Sequence, residues 1–254
     1  MGLLNRFLTG KAEPQPQEKK RPLGSRRYVI GNWKCHKNYD EARRWFDAFA
    51  EGYTPAEDVD IVVAPSFICL ENISRYVHDL KLENVYLAAQ DVSPYPIGGY
   101  TGAVAADMVR GLVDFVIVGH SDRRRYFHET SMDVTNKVVE AVDVGLHPIV
   151  CVDQPYTMSQ LTSLSDIENE NIIIAYGPVD ALSFRIPTPP AKVAESVDFI
   201  REIYPKRAVV YGGSLTPDNV DDYFGLQNLS GIFVGSASLE AETFLKICRK
   251  AAQK

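Results

Sequence analysis

The run Phe115-Val-Ile-Val118 decides the fold class of this chain, because its four consecutive apolar residues leave no polar face for water. The run Ile172-Ile-Ile-Ala175 has the same character. Strands of this kind are buried on both faces, as in a parallel sheet that is covered by helices. An antiparallel barrel is disfavoured, because its strands would alternate between apolar and polar residues.

Short β-branched, apolar runs alternate with longer amphipathic stretches from Tyr28 onward, which predicts successive parallel β/α units. The eight predicted strands are Tyr28–Trp33, Val59–Pro65, Val85–Gln90, Phe115–His120, His147–Val152, Ile172–Tyr176, Ala208–Gly212 and Gly231–Gly235. The chain has 254 residues, of which 45% are hydrophobic, and this suits one large core. Eight units in a chain of this length predict a single-domain α/β structure, a (β/α)8 barrel.

Helical patterns lie between the strands, and several open with Pro or Ser near the first turn. The predicted helices are Asp40–Ala50, Phe67–Leu80, Ser131–Val144, Pro189–Ile203, Pro217–Phe224 and Leu239–Ala251. An open, doubly wound sheet is the structural alternative, because it also alternates strands and helices. The barrel is favoured over it, since no Gly-x-Gly-x-x-Gly motif follows the first strand and eight is the number of strands in such a barrel.

Charge and cysteine content restrict the classes of function that this chain can have. The net charge of −6 and the pI near 5.4 argue against binding to nucleic acid or to an anionic membrane, because both need a basic face. A small-molecule partner fits better. The four cysteines are scattered and indicate neither a disulfide framework nor a metal site: Cys35, Cys69, Cys151 and Cys248. We therefore expect a cytoplasmic protein without a metal or cofactor.

The first 26 residues differ in composition from the rest. They contain Pro14, Pro16 and Pro22 and the basic run Lys19-Lys20-Arg21, with few large apolar groups. Little apolar surface is available there to offset the entropy that ordering would cost. We predict a flexible N-terminal extension over residues 1–26 and a barrel over residues 27–254.

Polar and glycine-rich segments follow the first, fourth, seventh and eighth predicted strands, where the chemistry of such barrels gathers. They are Asn32-Trp33-Lys34, Gly119-His120-Ser121-Asp122, Gly212-Gly213-Ser214 and Gly235-Ser236. A single Lys or His at a strand end is more often a structural residue than a catalytic one. Two Gly/Ser turns on the last two strands can instead direct bare backbone N–H groups at one anion. They predict a phosphate cradle, with a pair of simple tight turns as the alternative.

Taken together and in this order, these segments resemble the triosephosphate isomerases, whose fold is the TIM barrel. The resemblance extends to Asp91-Val-Ser-Pro94 and Tyr100-Thr-Gly102 and covers residues 28–254. It implies binding of, and proton transfer on, a small phosphorylated carbonyl compound. In the family this is the interconversion of dihydroxyacetone phosphate and glyceraldehyde 3-phosphate in glycolysis and gluconeogenesis.

The resemblance also implies roles for single residues. Lys34 supplies a fixed positive charge to the phosphate and to the developing enediolate oxygen, with Asn32 as a polar contact beside it. His120 matches the family's neutral imidazole electrophile, and Asp122 stands where the family carries Glu. Further phosphate contacts fall on Ser183, Gly213, Ser214, Gly235 and Ser236. The loop Asp91 to Thr101 implies a homodimer, whereas a loop folded onto its own barrel is the alternative.

The family pattern breaks after the sixth strand, where the chain reads Ala175-Tyr176-Gly177-Pro178-Val179-Asp180. Gly177 takes the position of the catalytic Glu, and a glycine cannot accept a proton from carbon. Asp180 replaces the Trp of the lid loop, and Ser183-Phe184-Arg185 replaces its Gly-Thr-Gly hinge. We therefore expect isomerisation to be weak or lost. The alternatives are an inactive barrel that binds a phosphorylated metabolite or acts as a scaffold, and a related reaction in the same pocket.

The fifth β/α unit also departs from the family, since only 23 residues separate Cys151 from Ala175. Its helix is expected to be short or partly missing. Asp153-Gln154 replaces the Gly-Glu of the family and brings a new carboxylate next to the sixth strand. Asp153 and Asp180 are therefore the candidate substitutes for the missing base, although an Asp at a loop mouth is usually a solvated charge or a helix cap.

Overall fold

The computed structural model describes residues 26–169, 171–178, 181 and 186–253. Eight parallel strands follow one another in chain order around a closed barrel, and β1 pairs with both β2 and β8. The strands are β1 (Arg27–Asn32), β2 (Val59–Ala64), β3 (Val85–Ala89), β4 (Phe115–Val118), β5 (His147–Val152), β6 (Ile173–Tyr176), β7 (Ala208–Tyr211) and β8 (Gly231–Val234). The predicted (β/α)8 barrel is confirmed, and the open doubly wound sheet is excluded.

Side chains of each strand alternate between two apolar layers. On β4, Phe115 and Ile117 belong to the cluster inside the barrel, whereas Val116 and Val118 belong to the cluster between strands and helices. All four residues are at most 3% exposed. This double burial explains why the run carries no polar residue.

The helices of the described residues cover the outside of the barrel. They are α1 (Tyr39–Gly52), α2 (Phe67–Leu80), α3 (Ala106–Val109), α4 (Ser121–Tyr126), α5 (Ser131–Asp143), α6 (Thr157–Thr162), α7 (Pro190–Ile203), α8 (Asp221–Phe224) and α9 (Ala241–Ala252). Capping boxes fix two starts, at Asn38 before α1 and at Thr130 before α5.

Two differences from the predicted helices have local causes, and one further prediction is confirmed. The helix predicted over Pro217–Phe224 is a turn up to Val220 and helical only from Asp221, because Asn219 bonds back to Thr216 and Ser214. Two short helices, α3 and α4, are not among the predicted helices, since segments of one or two turns are too short to show helical periodicity. The short helix expected in the fifth unit is confirmed, because α6 has six residues.

The predicted flexible extension falls on residues 1–25, which lie outside the described residues, and on Arg26. The Arg26 guanidinium forms an ion pair with Asp60 at 2.5 Å, at the N-terminal end of the barrel. Among the described helices, none combines the length and the apolar character that crossing a membrane requires.

Candidate active site

A pocket of about 570 Å³ opens at the carboxyl ends of the strands. It brings together nine residues that the sequence singles out, from six of the eight strand ends: Asn32, Lys34, His120, Asp153, Gly177, Gly213, Ser214, Gly235 and Ser236. Two further candidates, Asp180 and Ser183, lie outside the described residues. The strand-end segments therefore form one site rather than separate surface turns.

The backbone around Lys34 is fixed by side-chain amides. The Lys34 N–H donates to Asn32 Oδ1 at 2.9 Å, and Gln90 Nε2 donates to the carbonyls of Lys34 and Ala64, each at 2.9 Å. Lys34 has a φ of 53°, in the left-handed region that side chains seldom adopt. These bonds hold a strained backbone in place and keep the lysine at the pocket wall.

The Lys34 ammonium forms an ion pair with Asp122, at 2.8 Å between Nζ and Oδ2. Partial burial pushes the pKa of Asp122 upward, but the bond from Lys34 and the nearby positive charges outweigh it and lower that pKa. Asp122 is therefore ionised at neutral pH. An aspartate side chain, one methylene shorter than that of glutamate, is long enough to reach the lysine here.

His120 caps α4 with its ring. Nδ1 accepts the backbone N–H of Asp122 at 3.1 Å, so the ring proton of the neutral imidazole lies on Nε2. The Asp122 carboxylate is farther from Nδ1, at 3.5 Å, and is already bonded to Lys34. Burial lowers the pKa of His120 to about 4, although the charge of Asp122 acts in the opposite direction. The pocket therefore contains an uncharged imidazole that can donate through Nε2.

The turn after β7 is held in an unusual conformation. Ser214 has a φ of 54°, its Oγ donates to the Ala181 carbonyl at 2.7 Å, and Asn219 Nδ2 donates to the Ser214 carbonyl at 3.2 Å. A Cβ added to Gly213 would lie 2.2 Å from the Tyr211 hydroxyl oxygen, so only glycine fits there. Both constraints set the direction of the backbone N–H groups in this turn.

The turn after β8 lies directly under the lysine. A Cβ built on Gly235 would be 3.7 Å from Lys34 Cε, and Ser238 bonds back to the Gly235 carbonyl through its N–H and its Oγ. Within the described part of the chain, the N–H groups of Ser214, Gly235 and Ser236 have no backbone carbonyl as partner. These donors and the Lys34 ammonium can meet an anion between them.

The wall formed by the ends of β5 and β6 has an aspartate after one strand and a glycine after the other. Gly177 follows β6 and donates its N–H to the Val152 carbonyl at 3.0 Å, so the residue after β6 lies next to the residue after β5. That residue is Asp153, which is 7% exposed and lines the same pocket. Burial raises the pKa of Asp153, although Arg124 and Gln160 act to lower it.

Arg124 forms hydrogen bonds at the ends of β4 and β5, next to Asp153. Its Nε donates to the Gly119 carbonyl at 2.7 Å and lies 3.9 Å from Asp153 Oδ2, and its NH2 donates to the Cys151 carbonyl at 3.0 Å. Sequence reasoning did not assign a role to Arg124 or to Gln90. The only signal was their location at strand ends, which does not reveal which carbonyls they bond.

The loop from Asp91 to Thr101 is anchored by buried charges. Lys137 Nζ contacts Asp91 at 2.7 Å and also bonds Glu129, while Arg123 Nε lies 2.9 Å from Asp91 and 3.2 Å from Glu129. Beyond this ion cluster the loop exposes apolar side chains, namely Tyr95 and Tyr100, stacked at 4.7 Å, and Ile97. The loop root is fixed, and its tip is apolar and uncovered.

Comparisons with known proteins match most of this chain to one family. The family model described as triosephosphate isomerase matches residues 27–251. The chain is 32% identical to the triosephosphate isomerase of Mycoplasmopsis pulmonis, over 86% of this chain and 95% of that protein. It is 31% identical to that of Thermodesulfovibrio yellowstonii, over 88% and 99%, and 32% identical to that of Fusobacterium nucleatum, over 88% and 98%.

Proposed function

The chain belongs to the triosephosphate isomerase family, and from that premise we propose that it binds a small phosphorylated compound but isomerises triose phosphates weakly or not at all. One observation carries the proposal: the pocket contains the lysine, the imidazole and the glycine-rich turns, while its β6 wall ends in Gly177. The groups that hold a ligand and the group that moves its proton are on different strands, so one can be lost without the other.

The phosphate site is proposed at the turns after β7 and β8. The N–H groups of Ser214, Gly235 and Ser236 are available there, and the Lys34 stem lies over Gly235. Backbone donors and a lysine are a common phosphate-binding combination in proteins. Because Lys34 is paired with Asp122 in this structure, an incoming phosphate would share the ammonium with that carboxylate.

His120 is proposed to polarise a carbonyl of the bound compound. Its imidazole is neutral at physiological pH because burial lowers its pKa to about 4, and its Nε2–H has no hydrogen-bond partner among the described residues. Preorganised donors at a developing oxyanion are often the largest contribution to catalysis. These features support a role for His120 in enediolate formation.

The missing general base limits the reaction. A positioned base accelerates proton transfer by about 10²–10⁴-fold, which corresponds to about 3–5 kcal/mol of activation free energy. Gly177 has no side chain that could serve. The same observation favours the second candidate function, an inactive barrel that binds a phosphorylated metabolite or serves as a scaffold.

We also propose that the chain forms a homodimer through the loop from Asp91 to Thr101. Its tip exposes Tyr95, Ile97 and Tyr100, and the buried ion cluster at its root holds it in one conformation. Side chains of this kind are typical of the centre of protein interfaces. A cytoplasmic location is proposed as well, because all four cysteines are unpaired.

Binding and turnover must be measured together to test the proposal. Calorimetry with a phosphorylated enediolate mimic should show binding, and a coupled assay with either triose phosphate should show little or no turnover above the uncatalysed rate. Turnover with a kcat/KM of about 10⁷ M⁻¹s⁻¹ or higher, as in efficient enzymes, would show that the proposal is wrong. Absence of any binding would eliminate the phosphate site itself.

A further inference from the structure

Asp153 and Gly177 occupy matching places on neighbouring strands. Ile149 and Cys151 on β5 point into the barrel, as does Ala175 on β6, so the next residue of the same parity on each strand faces the mouth. Those residues are Asp153 and Gly177, and both line the pocket. Adjacent strands are about 4.8 Å apart. A carboxylate is thus present one strand away from the vacated position.

The Asp153 carboxylate is largely buried, and its partners among the described residues are the side-chain amide of Gln160 and a distant guanidinium. Its side chain is 10% exposed, and its nearest cation, Arg124, is 3.9 Å away, which is longer than the 2.7–2.9 Å or so of a charge-assisted hydrogen bond. Arg124 already donates to the carbonyls of Gly119 and Cys151. A carboxylate has about four acceptor sites, so one amide and a cation at this distance leave room for a further donor. The open side of the pocket is where that donor can enter.

A carboxylate in a phosphate pocket also restricts what can bind. The negative charges of Asp153 and of a bound phosphate repel each other unless the ligand places a donor against the carboxylate. A ligand without one would leave a buried charge unpaired, which is how sites reject near-analogues.

We propose that Asp153 contacts the ligand and selects small phosphate esters whose carbon chain carries a hydroxyl or ammonium group. This rests on the proposed phosphate site and specifies its ligand class. The carboxylate accepts the hydrogen bond from the donor, while the turns after β7 and β8 hold the phosphate.

Matched esters test the proposal. We would measure the dissociation constants of propyl phosphate, 3-hydroxypropyl phosphate, 3-aminopropyl phosphate and 2-aminoethyl phosphate with the full chain, using inorganic phosphate as reference. At least one donor-bearing ester should bind about tenfold or more tightly than propyl phosphate, as expected for a hydrogen bond to a charged group. Separate titrations of the hydroxyl ester and of the ammonium esters show which donor Asp153 prefers.

Three variants isolate the carboxylate. Asp153→Ala should remove the preference for donor-bearing esters, while propyl phosphate and inorganic phosphate bind as tightly as before or more tightly, because the carboxylate no longer repels them. Asp153→Asn keeps an acceptor without the charge, so it should reduce the preference for the ammonium esters most. The control is Asp166→Asn, because Asp166 is exposed on the same connection between β5 and β6 and should change nothing.

The outcomes separate this inference from the proposed function. If inorganic phosphate and all the esters fail to bind, the phosphate site is wrong and the inference falls with it. If phosphate and propyl phosphate bind but no donor-bearing ester binds more tightly, only the role of Asp153 is overturned. A preference that survives Asp153→Ala overturns it as well.

Discussion

The wall of the pocket that β1 and β4 provide contrasts with the wall that β5 and β6 provide. On the first, Asp122 contacts both Lys34 and His120, its N–H donates to the His120 ring, and the Lys34 N–H donates to Asn32. On the second, a carboxylate follows β5 and a glycine follows β6. In the proposed function, the first wall polarises a ligand that the turns after β7 and β8 hold, and proton transfer requires a base on the second wall. A barrel can therefore change its reaction by changing one wall while the other keeps its ligand.

Placing a base on the second wall should have the largest effect. Gly177→Glu is expected to raise triose phosphate turnover by about 10²–10⁴-fold, equivalent to about 3–5 kcal/mol, because His120 and Lys34 are already positioned. A coupled assay measures this directly. Gly177→Gln is the matched control, since it adds the same bulk without a base. Equal turnover in the two variants would contradict the proposal that a missing general base limits the reaction.

The imidazole on the first wall should make stability depend on pH. The pKa of His120 falls to about 4 in the fold from 6.5 in the unfolded chain, so the unfolded state binds more protons between those values. The contribution is fully present above about pH 6.5 and is lost as the pH falls through about 4, on the order of 3 kcal/mol in total.

NMR titration of the ring, together with chemical unfolding between pH 4 and 7, measures this contribution. His120→Gln should remove that part of the pH dependence. An imidazole that titrates near pH 6.5 would contradict the burial of the ring as described.

Replacing Lys34 should weaken ligand binding rather than destabilise the fold. Lys34→Met is expected to reduce the affinity for a phosphorylated enediolate mimic about 10–100-fold, because a charge-assisted contact of about 1.5–3 kcal/mol is lost. Calorimetry gives the change. Lys37→Met is the control, since the Lys37 ammonium lies over the Trp33 ring at 5.4 Å and not on the pocket lining. The same loss in both variants would argue against a specific phosphate contact.

The smallest effect should come from the amide behind the first wall. Gln90→Ala removes the side-chain donor to the Lys34 carbonyl and one of two donors to the Ala64 carbonyl, which also accepts the Trp33 N–H, and should reduce the free energy of unfolding by about 1 kcal/mol. Chemical denaturation of this variant and of Gln227→Ala, an exposed control, measures it. If Gln90→Ala is no less stable than the control, these two bonds do not support the wall.

Sequence alone predicts the barrel well because every strand is buried on both faces. Its strand ends are less exact: the predicted β4 continues to His120, whereas the observed strand ends at Val118 and the chain turns into α4. The residues that leave the sheet at this edge are those that form the site. Their conformation depends on contacts in the pocket, so the apolar pattern of the strand does not predict it.

The site residues are predictable as a set, but their contacts are not. Strand-end position and family resemblance bring Lys34, His120 and the glycine turns to one pocket, as observed. The ion pair to Asp122, the tautomer of His120 and the bonds of Arg124 depend on distances that no spacing in the chain encodes. The place of Asp153 beside Gly177 follows from strand register, which only the closed sheet determines.

The ion cluster beneath the protruding loop limits how this molecule can evolve. Asp91 and Glu129 balance Lys137 and Arg123, and the side chains of Lys137 and Glu129 are only 4% and 3% exposed. Replacing one member strands an uncompensated charge, at a cost of about 3–5 kcal/mol in a buried setting. Substitution is therefore tolerated in opposite-sign pairs, and the tip of the loop can diversify more freely than the charges on which it stands.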